Sequence, residues 1–153
     1  MSACFDEVSS WMRSNRLQVN PSQTEVLWCA SGRRQHQIPT SPVCIGSTYV
    51  LLVSSVRDLR VHIDSDVSLQ THVAATVRSC FAALHQIRSS CCCIPQHTLL
   101  RLICALIVSK VDYCCSVLAG VSGHLLDRLQ STLNAAGRLV LSQALRMHYH
   151  ASP

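Results

Sequence analysis

The chain has 153 residues, enough for one ordinary domain or two small lobes. Hydrophobic residues make up 48% and charged residues 14%, which excludes a compositionally disordered chain, while aromatics at 5% leave the packing to Leu, Val, Ile, Ala and Cys. The formal charge of +5 is carried by arginine, with Lys110 the only lysine and Arg33-Arg34 the only adjacent basic pair, so contact with phosphate is permitted but a dense polybasic tail is excluded.

In chain order, Phe5, Val8, Trp11 and Met12 recur at helical spacing and predict a short helix over 4–14. Leu17 and Val19 alternate with polar neighbours and suggest a strand. Asn20-Pro21-Ser22 signals a turn, after which 25–30 reads as a returning strand. The polar stretch 31–42, with Gly32, Pro39 and Pro42, reads as a loop. A hairpin is expected from 43–45 and 49–53 around Gly46-Ser47, followed by one more strand over 56–63. Past Asp66 the period changes from two to near 3.6. Val73, Val77, Cys80, Leu84 and Ile87 mark one face of a helix over 68–89, capped by Ser68 or Asp66. Pro95 suits the first turn of a second helix over 95–118. That helix is apolar on most sides (Leu99, Leu100, Leu102, Ile103, Leu106, Ile107, Val108, Val111), so it should be the central and most buried one. Gly120 and Gly123 break the chain, with Ser122 as a cap. Leu126, Leu129, Leu133, Ala136 and Val140 stripe a third helix over 123–141.

The expected class is therefore α+β, with a short helix and a small antiparallel strand segment over 1–66, a three-helix bundle over 67–141 and a frayed tail over 142–153. After Met1 there is neither a basic start nor an apolar signal core. The most apolar stretch, 99–109, contains Arg101 and is far shorter than the ~20 residues of a membrane span. The expectation is an intracellular chain, cytoplasmic or nuclear, neither secreted nor membrane-bound.

Ten cysteines include the runs Cys91-Cys92-Cys93 and Cys114-Cys115, but no C-x2-C pair. Buried or incidental free thiols are expected rather than a metal centre or a disulfide framework, with Cys91–Cys93 and His97 as the metal alternative. No histidine pair has metalloenzyme spacing. Asp64 and Asp66 are the one close carboxylate pair, and their place at a strand-to-helix junction favours turn formation and capping. Trp11 and Trp28 read as packing residues rather than base-stacking platforms.

Four segments, in order, carry a resemblance. The first is Trp11-Met12-Arg13-Ser14-Asn15-Arg16-Leu17-Gln18-Val19-Asn20-Pro21-Ser22-Gln23-Thr24-Glu25. The second runs from Val56-Arg57-Asp58-Leu59-Arg60-Val61 through Ile63-Asp64 to Leu69-Gln70-Thr71-His72-Val73. The third is Ser109-Lys110-Val111-Asp112-Tyr113-Cys114-Cys115, and the fourth Leu126-Asp127-Arg128-Leu129-Gln130 through Asn134-Ala135-Ala136-Gly137-Arg138-Leu139-Val140. Together they resemble the end of the palm and the thumb of reverse transcriptases from non-LTR (LINE-type) retrotransposons.

The resemblance implies a palm-end remnant over 1–66 and a thumb that holds a primer–template duplex over 67–141. It implies an RNA-directed DNA polymerase ancestry. That family works with Mg²⁺ held by paired carboxylates. Those carboxylates belong upstream of the first matching segment, and no adjacent Asp pair occurs in this sequence. No catalytic residue and no metal ligand is therefore expected here, and the chain should be inactive alone.

In the family, the turn at Asn20, Gln23, Thr24 and Glu25 carries a lysine near the nucleotide's phosphates. Gln23 stands at that position and can supply neither a proton nor a charge. Arg60 replaces a family glycine, which implies backbone strain if the turn needs one. His72, Arg78, Arg88, Arg128 and Arg138 are the nucleic-acid-binding candidates, beside the plainer reading of solvated helix faces. The expected partner is an RNA or RNA–DNA duplex, with no small-molecule substrate and no cofactor. The alternatives are a duplex-binding module that keeps the thumb, and a decayed reading frame with no selected role.

Overall fold

The computed structural model describes residues 2–45, 48–113 and 118–151. It is a mixed helix-and-strand chain of two compact units, 1–68 and 69–153.

The first unit opens with α1, Ser2–Ser14. Phe5 and Met12 of α1 are half-buried, whereas Trp11 is 61% exposed and does not pack as expected. No strand forms at Leu17 and Val19. The chain passes instead into a 3₁₀ turn, Pro21–Gln23, and a two-residue strand β1, Val26–Leu27. β1 pairs in parallel with β4, Leu52–Val53, rather than returning along 17–19. The 31–42 segment holds a 3₁₀ helix, Gly32–Gln37.

β2, Val43–Ile45, pairs antiparallel with β3, Thr48–Val50, and the expected turn at Gly46-Ser47 lies outside the described residues. The single strand expected over 56–63 is two strands. β5, Ser55–Asp58, and β6, Val61–Asp64, form a hairpin closed by Leu59 and Arg60. Both loop residues have positive φ, 43° and 69°, the conformation of a two-residue hairpin turn whose twist matches its strands.

The second unit is helical. α2, Gln70–Ser90, buries His72, Val73, Cys80, Leu84 and Ile87, so the predicted apolar face is the buried one. Its start is not capped by a side chain. Leu69, in the left-handed conformation at φ 57°, occupies the cap position, and Asp66 Oδ1 instead accepts from the Ser68 N–H at 3.0 Å. α3, Gln96–Ile103, continues through a wider π-helical turn, Cys104–Val108, into α4, Ser109–Asp112. This run ends before 118. Only Leu99, Ile103 and Ile107, at i, i+4 and i+8, are buried on it, while Leu100, Leu106 and Val108 are exposed. It is therefore not the fully enclosed helix that its composition suggested. Gly120 takes φ 85° in the following turn.

α5 runs from Gly123 to Ala151, so the tail expected to fray continues the helix. Its buried positions are Leu125, Leu129, Thr132, Ala136 and Gln143, and Leu126 is exposed. Leu129 and Ala136 of the predicted stripe are buried, Leu125 and Thr132 replace Leu126 and Leu133 as its buried members, and the seam extends beyond it to Gln143. One core cluster gathers Cys80, Leu84 and Ile87 of α2 with Leu99, Ile103, Ile107 and Ala136, and a second gathers Val73, Leu125 and Leu129. Lys110 Nζ donates to Ser79 Oγ at 2.7 Å, joining α4 to α2. Gln143 Nε2 donates to the Cys91 carbonyl at 2.8 Å, so a residue of α5 satisfies an acceptor where α2 ends.

Candidate nucleic-acid interface

The 20–25 turn is organised by one side chain. Asn20 Oδ1 accepts from the Ser22 N–H at 3.2 Å and from Ser22 Oγ at 2.7 Å, a local ring of the kind asparagine forms in turns. Asn20 Nδ2 donates to Gln23 Oε1 at 3.1 Å, and Thr24 Oγ1 donates to the Asn20 carbonyl at 2.8 Å. Asn20, Gln23 and Thr24 are thus brought together, while Glu25 is exposed and takes no part in this set. A neutral amide stands at the tip. It can hydrogen-bond, but it has no proton to give a leaving group.

The two close carboxylates are each engaged by Ser68. Asp64 is 8% exposed and accepts from Ser68 Oγ at 3.4 Å. Asp66 is exposed, and the bonds it receives from Ser68 hold its carboxyl below the usual carboxylate range. Its charge is spent on this turn. Among the described residues no group of three or more His, Cys, Asp or Glu side chains is placed to hold a metal ion.

The helical candidates separate. Arg78 and Arg88 on α2, and Arg128 and Arg138 on α5, are all exposed. His72 is 7% exposed, too enclosed to present its ring to a phosphate as a free surface group. On α2, Arg78 and Arg88 share a strip with Phe81 and His85, at spacings of 3, 4 and 3 residues. Phe81 is 43% exposed, so this strip offers an aromatic face between two guanidinium groups. Phe81 and His85 were missed in the sequence, although the R-x2-F-x3-H-x2-R spacing is legible there. On α5, Arg128 and Arg138 are ten residues apart and so lie about 80° apart around the helix. They widen the basic surface with the same angular offset that separates Arg78 from Arg88.

The exposed and buried thiols also differ. Cys4, Cys29, Cys44, Cys93 and Cys104 are exposed and form no disulfide. Cys80 lies in the core, where burial pushes its thiol up and Lys110 only partly opposes that. Trp28 Nε1 is enclosed and has no acceptor among the described residues, which fits neither a stacking platform nor a well-paired core indole. No helix among the described residues is long and apolar enough to cross a membrane. Comparison with protein-family models, with curated proteins and with solved structures finds no match in any of the three.

Proposed function

We propose that this chain is a retrotransposon-derived reverse transcriptase fragment, a palm end followed by a thumb-like three-helix bundle, which binds an RNA or RNA–DNA duplex and does not polymerise. The observation that carries the reading is the order of the four matching segments, from Trp11–Glu25 to Leu126–Val140. It is supported by a second unit that is helical and exposes Arg78, Arg88, Arg128 and Arg138 on two helices packed against each other. Planar guanidinium groups suit phosphate, and Phe81 adds a surface on which a sugar or base can stack.

The chemistry of bond formation has no support in these residues. Gln23 carries no acidic proton near neutral pH, and Asp64 and Asp66 are engaged by Ser68. Binding without turnover is the consequence. A fluorescence anisotropy titration of the purified chain with a labelled RNA–DNA duplex tests it. Affinity should fall by about ten-fold or more between 50 and 200 mM salt if several phosphates are contacted. Arg78→Ala with Arg88→Ala should weaken binding and flatten that salt slope. Absence of binding at low salt removes the duplex reading. Primer extension with Mg²⁺ should give no product, and template-directed synthesis by the pure chain would overturn the claim of inactivity.

A further inference from the structure

We infer that the outer face of α2 takes unpaired nucleotides, whose bases stack on Phe81 and His85 while Arg78 and Arg88 hold the flanking phosphates. The inference rests on the nucleic-acid reading of the helical unit and narrows it to an unpaired strand beside a duplex. Charge selects the class of occupant. The second unit carries seven of the thirteen Lys and Arg residues, but only Asp112 and Asp127 of the eight Asp and Glu. The first unit has six Arg and six Asp or Glu, so the whole net charge of +5 belongs to the helices. α2 itself has no Asp or Glu in its 21 residues. Lys110 donates to Ser79, the residue after Arg78, and adds a cation beside that end of the strip. A polyanion approaching α2 therefore meets arginine and lysine and no carboxylate of that helix.

Spacing selects the form of that polyanion. Arg78 and Arg88 are ten residues apart, about 15 Å along the helix axis. Between them Phe81 and His85, four residues apart, are neighbours on the helix surface. All four are exposed and fall within about 80° of arc, while Cys80, Leu84 and Ile87 are buried. A paired duplex gives the Phe81 ring little. Each of its base faces is covered by the next pair, and a phenyl ring has no polar atom with which to read a base edge. An unpaired base offers its whole face, and stacking of that kind is tolerant of sequence. A cation, two rings and a second cation in one strip thus match a short single strand, with phosphates at the ends and bases between them.

The test is a fluorescence anisotropy titration of the full chain with three labelled RNA–DNA duplexes of one sequence. One is blunt, one carries a short single-stranded RNA overhang, and one carries the same overhang with abasic sites. The overhang should tighten binding about five-fold or more over the blunt duplex, the gain from one stacked base. The abasic overhang keeps its phosphates and should lose most of that gain. Phe81→Leu keeps apolar bulk at an exposed position without the ring. It should abolish the preference for the overhang and leave both blunt-duplex affinity and the salt slope unchanged, because no phosphate contact is removed. Phe81→Trp should keep the preference. A DNA overhang should serve as well as RNA, since base faces rather than 2′-hydroxyls carry the contact, and a requirement for RNA would overturn the stacking account. Equal affinity for the three duplexes, or an overhang preference that survives Phe81→Leu, overturns the inference and leaves duplex binding standing. Absence of binding to every probe removes the nucleic-acid reading and this inference with it.

Discussion

Arg60 shows how a single backbone angle acts on stability. At φ 69° its Cβ crowds the following carbonyl, and Leu59 beside it sits at 43°. A left-handed non-glycine residue costs about 1–2 kcal/mol, while glycine returns about 0.4–1 kcal/mol through greater freedom in the unfolded chain. Arg60→Gly is therefore expected to raise stability by about 0.5–1 kcal/mol, read as a higher urea midpoint at unchanged slope. Val67, β-branched and at φ 58°, carries the same kind of strain in the segment before α2. Cys80 makes a second prediction at this scale. Its raised thiol and its burial should leave it unreacted with iodoacetamide at pH 8, while exposed Cys93 and Cys104 are alkylated, and mass spectrometry of timed digests would show the difference. Cys80 alkylated as fast as Cys104 would mean that α2 does not pack as described.

Gln143 gives the sharpest prediction at the level of elements. It is buried, and its amide donates to the Cys91 carbonyl where α2 ends, with the Ile94 carbonyl at 3.4 Å. Gln143→Leu keeps the shape and leaves those carbonyls without this donor, a loss of about 1–3 kcal/mol. Gln143→Glu should be worse at neutral pH, because a buried carboxylate faces carbonyl oxygens. Its folded-state pKa is then raised, so stability should recover as pH falls and the protonated acid donates again. Urea denaturation of the two variants at pH 5 and pH 7 separates these outcomes. The same residue explains what periodicity missed. The face of α2 was legible because Val73, Val77, Cys80, Leu84 and Ile87 repeat apolar side chains. Beyond Val140 the seam of α5 is held by a polar residue with a partner about fifty positions away, and no apolar pattern announces it. Leu125 rather than Leu126 is buried at the start of α5 because the two are adjacent and either fits a stripe that continues through Leu129 and Ala136. β1 and β4, of two residues each, are too short to show alternation, and Leu59-Arg60 lacks the Asn-Gly signature of its turn. At the candidate site, the Asn20 turn was legible from Asn-Pro-Ser, whereas the burial of His72 depends on the packing around it.

For the molecule as a whole, the distribution of the core decides which part opens first. Among the described residues, the buried apolar side chains of the first unit are Ile45 and Val50. The second unit holds both core clusters, built on α2, α3, the π-helical turn and α5. Isolated two-stranded pairs are marginal in water, and the first unit has three of them. Local opening free energies follow buried apolar contact, so the two units should not share one protection level. Amides of α2 and of 125–143 in α5 are expected to exchange with solvent more slowly, by about ten-fold for each 1.4 kcal/mol of difference in opening energy, than those of β1, β4 and the β5–β6 hairpin. Hydrogen exchange followed by mass spectrometry on the full chain measures this directly. Equal protection of 26–64 and of the helices would mean that the small sheets gain stability from contacts other than the core described. Unequal protection has a functional corollary. A duplex held by the helical arginines should slow exchange in α2 and α5 and leave 5–24 unchanged, so the same measurement locates the binding surface.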